Sequence, residues 1–196
     1  MKSIIPHNTP IFKQASQCQN CAQFLPLGAN PIFQLHPKAK LLVIGQAPGT
    51  AAHETGIAFN DPSGVRLRKW LGVSDEQFYN PELMAMMPMS FCYPGRGKSG
   101  DLPPIKVCAP LWHQKILNAL PNIELTLLIG KYAQDAYLEN DQKMNLTETV
   151  KNWKKFWPKM IPLPHPSPRN NIWLAKNRWF EKEVVPSLQN KISHLI

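Results

Sequence analysis

Three groups of residues have the types and spacing that do chemistry. The chain holds four cysteines: a Cys18-Gln-Asn-Cys21 pair, then Cys92 and Cys108 sixteen residues apart. Four thiols in a chain read as cytoplasmic point to a metal rather than to disulfides. An all-cysteine set of four suits an iron–sulfur cluster or zinc, against the plainer alternative of four unrelated buried thiols. The second group is Pro164-His165-Pro166-Ser167-Pro168-Arg169-Asn170. Proline fixes φ, so a loop this rich in it is stiff and can hold a reactive imidazole still. The third is the turn Gly45-Gln46-Ala47-Pro48-Gly49, whose backbone amides can meet an anion, a water or a polar ring.

The elements that must position these groups are legible from periodicity. Lys40–Ile44 is a short apolar run ending in Gly45, and reads as a buried strand entering a turn. Gly64–Leu71 reads as a helix capped by Ser63 and stopped by Gly72. Leu83–Met89 is a second candidate strand. Pro103 and Pro104 suit a helix first turn, and Cys108, Leu111, Trp112, Lys115, Ile116 and Ala119 follow at helical spacing, predicting a helix to about Leu120. Leu125–Ile129 is the clearest strand, with a helix over Tyr132–Leu138 behind it. Met160–Leu163 is a final strand leading into His165. From Ile172 onward Trp173, Phe180, Val184 and Leu188 predict a C-terminal helix disturbed at Pro186.

Strands that are apolar on both faces and alternate with helices predict a three-layer α/β/α sandwich around a mainly parallel four-stranded sheet. Sites in such sheets lie beyond the carboxyl ends of the strands. The loops 45–59, 90–101 and 164–171 leave those ends. No internal boundary appears, so residues 1–196 read as one domain, with 1–39 an irregular segment packed on it.

Bulk composition narrows the partners. Lys and Arg total 22 against 13 Asp and Glu, a formal net charge of +9, which draws polyanions by steering and counterion release. The longest apolar runs are too short to cross a bilayer, and the first residues lack the apolar core of a signal peptide. The expected protein is a cytoplasmic monomer that does not enter membranes.

A Gly-X-X-Pro-Gly turn at a strand end, paired with a C-terminal His-Pro-Ser-Pro, resembles the uracil-DNA glycosylase superfamily. The spacing from the first turn to Gly56, Phe59 and Gly64 is similar to family 4, the bacterial and archaeal branch. The His-Pro-Ser-Pro-Arg-Asn string is nearer the single-strand-selective branch. The likeness runs from residue 18 to about 180. It implies a base-excision repair protein that flips uracil, or another deaminated base, out of DNA and hydrolyses its glycosidic bond. It gives His165 the role of stabilising charge on the departing base, and Phe59 the floor on which the base stacks. Gln46, Ala47 and Gly49 would contact the base or a water through their amides. Ser63, Pro166, Ser167 and Pro168 would lie along the DNA backbone, with Arg169 wedged into the gap in the stack. Cys18, Cys21, Cys92 and Cys108 match four ligands of a 4Fe–4S cluster, with zinc or no metal as the alternatives.

The chain also departs from that pattern. Gln46 stands where family 4 has an acidic residue, and Ala52 and His53 stand at its next acidic pair. Met86–Met89, with Pro88, replace the stretch carrying the asparagine that reads uracil. Gln46 or Asn170 would have to supply an amide, and Glu54 to activate water. Two rival readings therefore stand beside the enzyme: a catalytically weak or inactive DNA-binding member of the same fold, and a phosphate- or nucleotide-binding metabolic protein using the Gly45–Gly49 turn. The latter lacks a Gly-Lys-Ser/Thr or Rossmann signature.

Overall fold

A computed structural model describes residues 9–98, 100–138 and 144–196. The described residues begin with helix α1 (Pro10–Ser16), and β1 (Leu41–Ile44) follows after a stretch that holds one 3-10 turn at Ala22–Phe24. Helices α2 (Thr50–Thr55), α3 (Pro62–Leu71) and α4 (Asp75–Phe78) precede β2 (Met84–Met86). A small hairpin, β3 (Arg96–Gly97) and β4 (Gly100–Asp101), leads to α5 (Cys108–Leu117) and β5 (Leu125–Ile129). Then come α6 (Lys131–Tyr137), α7 (Leu146–Lys151), β6 (Met160–Leu163), α8 (Asn171–Lys176) and α9 (Val185–Ser193).

The central sheet has the order β2-β1-β5-β6, and every pairing is parallel. Successive residues of a strand point to opposite faces, which here divides the core in two. Leu41, Val43, Leu127 and Ile129 pack with Leu67 and Trp70 of α3 and Leu188 of α9. Leu42, Ile44 and Leu128 pack with Phe12 of α1, Trp112 and Ile116 of α5, and Ala133 of α6. Both faces are covered, so the strands are apolar at nearly every position, as the sequence predicts for an α/β/α sandwich. Among the described residues no helix is long and apolar enough to cross a membrane.

Several local expectations are corrected. The cap of α3 is Asp61, whose Oδ1 accepts from the Gly64 N–H at 2.9 Å, rather than Ser63. Pro62 takes the first helical position, where its missing donor costs nothing, so the cap moves ahead of it. Gly72 does end the helix, in the left-handed region at φ 68°. The second strand is only Met84–Met86, although Met87 and Met89 continue its pattern by donating to the carbonyls of Val43 and Gly45. Pro88 falls on the alternate residue, where no donor to β1 is needed.

The helix after Pro103-Pro104 begins only at Cys108. A proline disfavours helical backbone in the residue before it, and two in succession hold this stretch extended. The C-terminal segment is two helices, and the disturbance at Pro186 falls one turn early, as a π-helical turn over Phe180–Val184. Pro186 has no N–H to offer the carbonyl four residues back, and a widened turn accommodates that loss. The segment 1–39 contributes more than irregular loop: Phe12, Ala15, Phe33 and Leu35 are buried in the core.

Candidate functional site

At the carboxyl edge of the sheet lies a cavity of about 270 Å³, small by the standard of ligand pockets and suited to a single ring system. The strand-end loops supply its walls. The turn after β1 brings Gly45, Gln46, Ala47, Pro48 and Gly49; the stretch after β2 brings Met87 and Pro88. The loop after β6 brings His165, Ser167, Pro168 and Arg169, while Phe59 and Ser63 line it from the segment entering α3.

Phe59 sits in the left-handed region at φ 54°, which a bulky side chain adopts only under constraint. The constraint is visible. The Tyr79 hydroxyl donates to the Phe59 carbonyl at 3.2 Å, and the ring meets Phe78 edge-on with centroids 6.1 Å apart. The tip of the ring lies over Gly45, 3.6 Å from where a β-carbon would stand. An aromatic face is thereby fixed at the end of β1.

His165 is held by its own loop. The Ser167 N–H donates to Nδ1 at 3.2 Å, so the neutral ring carries its proton on Nε2. Burial lowers the pKa of the ring below its ordinary value, against the opposing pull of Asp61 and Asp101. The neutral form, a donor through Nε2, is the one the site favours. Asn170 donates to the His165 carbonyl at 2.7 Å. Arg66 of α3 reaches across to the Ser167 carbonyl at 3.0 Å and to Oδ1 of Asn171 at 2.7 Å.

Most of the residues singled out from sequence converge here: Gln46, Ala47, Gly49, Phe59, Ser63, His165, Ser167, Pro168 and Arg169 share the cavity. Three do not line it. Glu54 is exposed on α2, Pro166 is buried behind the loop, and the Asn170 amide is engaged with the His165 carbonyl. Two carboxylates of the cavity, Asp61 and Asp101, were not anticipated. Asp61 had a local signal, since Asp-Pro-Ser-Gly is a helix start. Asp101 reaches the cavity only through the hairpin, and nothing local announces that.

The wall after β2 is braced from outside. His113 on α5 donates from Nε2 to the Pro88 carbonyl at 3.0 Å, and its Nδ1 accepts from the Tyr137 hydroxyl at 2.5 Å. Burial lowers the His113 pKa and raises that of Tyr137, which keeps this relay neutral.

Away from this cavity the four cysteines line a second, apolar one with Leu25, Phe91 and Ile105. The Phe91 N–H donates to Cys108 Sγ at 3.4 Å, and the Asn30 backbone donates to Cys92. Burial pushes the Cys92 thiol up to about 11 and the Cys108 thiol up to about 12. Among the described residues no three of these side chains converge on a single ion position. Four thiols lining one cavity are a donor set that suits either an iron–sulfur cluster or zinc.

A doubly covered parallel sheet with a ring-sized pocket at its carboxyl edge, walled by an aromatic floor and a neutral histidine, defines an α/β domain equipped to hold one planar ligand. A family model described as the Uracil DNA glycosylase superfamily matches residues 33–189. The chain belongs to that superfamily. Cys92 and Cys108 lie inside the matched span, whereas Cys18 and Cys21 precede it.

Proposed function

We propose that the protein is a monofunctional DNA glycosylase that hydrolyses the bond between deoxyribose and a flipped uracil, or another deaminated base. The observation that carries this reading is the pairing of a fixed aromatic floor, Phe59, with a histidine whose Nε2–H is left to donate within the same cavity. Breaking the C1′–N bond leaves negative charge on the departing base. A donor already oriented in the cavity stabilises that charge without reorganising. Protonation of His165 would instead set a second N–H against that of Ser167, so the neutral ring suits the task. The net charge of +9 supplies the attraction to DNA, and Arg169, exposed at the mouth, is the residue assigned to the gap in the stack. Branch-level kinship with family 4 is part of the same proposal.

In this reading Cys18, Cys21, Cys92 and Cys108 hold a 4Fe–4S cluster. Its contribution is structural, tying the segment 18–30 to the loop entering α5.

The deciding assay is release of base from end-labelled oligonucleotides containing uracil, single-stranded and paired, with abasic sites cleaved by alkali. Strand scission above the background of a His165→Ala preparation supports the enzyme. A second reading, a DNA-binding member without activity, draws on the wall after β2. There Met86, Met87 and Pro88 face the cavity where an amide would read uracil. Binding without scission on every substrate would establish that alternative.

A further inference from the structure

Resting on the glycosylase reading, we infer that Asp101 is the carboxylate that activates the attacking water, and that Gln46 is the residue that positions it. A hydrolytic glycosylase needs a base within reach of the sugar. Three carboxylates come into question, and geometry separates them. Glu54 is exposed on α2 and does not line the cavity. Asp61 lines it but is engaged as the cap of α3, its Oδ1 accepting from Gly64. Asp101 lines the cavity as well, and its Oδ2 lies against the turn after β1, 3.5 Å from where a β-carbon on Gly49 would stand.

Nothing in residues 90–101 read alone places a carboxylate there; the hairpin does. Arg96 pairs with Asp101 across β3 and β4, and the Leu102 N–H donates to the Gly95 carbonyl at 2.9 Å. The Gln46 side-chain amide then donates to the Leu102 carbonyl at 3.0 Å, fastening the residue next to Asp101 to the first turn. The Gln46 amide therefore faces the hairpin backbone. The carboxylate it positions is solvent-accessible, so a water has a route to it.

The step balances without a co-reactant. The water oxygen bonds to C1′ as the C1′–N bond breaks. The water proton passes to the Asp101 carboxylate, and the bonding pair leaves with the base, whose charge meets the Nε2–H of His165. Asp101 then gives that proton up to solvent, and the base anion takes one proton as it is released.

The test is single-turnover release of uracil from a single strand by wild type, Asp101→Asn, Asp61→Asn and Gln46→Ala, with DNA affinity measured in parallel. Asp101→Asn should slow release by roughly 10²-fold or more, the scale of a lost general base, at unchanged affinity. It should also remove the carboxylate's part of the acid limb of the pH–rate profile, leaving only the part set by His165. Gln46→Ala should slow release less while keeping that limb, because the carboxylate is still present but loosely held. Asp61→Asn should act mainly through stability. Wild-type cleavage matched by Asp101→Asn overturns the role of Asp101 alone, as does an acid limb lost in Asp61→Asn instead. A wild type that releases no base overturns the glycosylase reading and this assignment with it.

Discussion

Gly64 lies so close beneath Phe59 that a β-carbon on it would stand 1.7 Å from the Phe59 carbonyl oxygen. That neighbour is backbone, which no rotamer change can move aside. Gly64→Ala should therefore push the 59–61 segment off the first turn of α3. We expect a loss of roughly 1–3 kcal/mol, in the range of overpacked sites, and a disordered pocket floor. Urea unfolding of the variant gives the first quantity, and loss of base release in excess of the stability loss gives the second.

Replacing His165 by Ala should lower the rate of base release by roughly 10²–10³, the usual loss for one preorganised donor. DNA binding should stay within a few-fold of wild type, since phosphate contacts dominate affinity. A variant that cleaves at the parent rate removes His165 from the mechanism.

Stability should fall as the solution is acidified. Burial lowers the pKa values of both His113 and His165 in the folded protein. Below about 6.5 the unfolded chain takes protons that the folded chain refuses, so acid favours unfolding. The urea midpoint should be lower at pH 5.5 than at pH 7.5, and His165→Gln should flatten the difference. A midpoint independent of pH across this window would mean that neither ring is held neutral.

Protein purified without oxygen should be brown with broad visible absorbance, and Cys108→Ser should be colourless. The thiols must lose their protons to bind iron, so reconstitution of the metal-free protein should release acid into a weakly buffered solution. Colourless wild type containing one zinc would replace the cluster with a mononuclear site.

Substrate preference follows from the wall after β2. Thioethers and a proline leave the polar edge of uracil poorly paired, and unmade polar contacts are how such pockets discriminate. Cleavage of uracil opposite adenine should be weak, and cleavage in mismatches or single strands faster, where extrusion costs less. Pro88→Asn should raise activity on uracil. Efficient release opposite adenine by the unaltered protein would mean that another group reads the base.

Contiguous strings carried most of what the sequence disclosed. Leu125–Ile129 announced a buried strand, and the histidine loop and its prolines stood together. The four cysteines were conspicuous by type and came to line one cavity. Function that depended on register stayed hidden. Asp101 reaches the pocket because the pairing of β3 with β4 folds it back, and Arg66 looks like any helix arginine until α3 docks beside residue 167. Asn170 shows the opposite case: its amide belongs to the motif, yet the loop uses it to hold the His165 carbonyl. Glu54 misled because proximity in sequence to the first turn is undone by the helix that carries it outward.

The strand order has a consequence for how the molecule is born. β1 pairs with β5, joining Leu41 to Leu125, and β5 then pairs with β6. Each pairing closes a long loop before it gains any contact, the topology that makes folding slow. A chain emerging from the ribosome delivers the glycine turn, Phe59 and all four cysteines well before His165. Until β6 docks, one edge of β5 stays open, ready to recruit a wrong strand. The half of the pocket proposed to hold a base is thus made early, and the residue proposed to act on it arrives with the last strand.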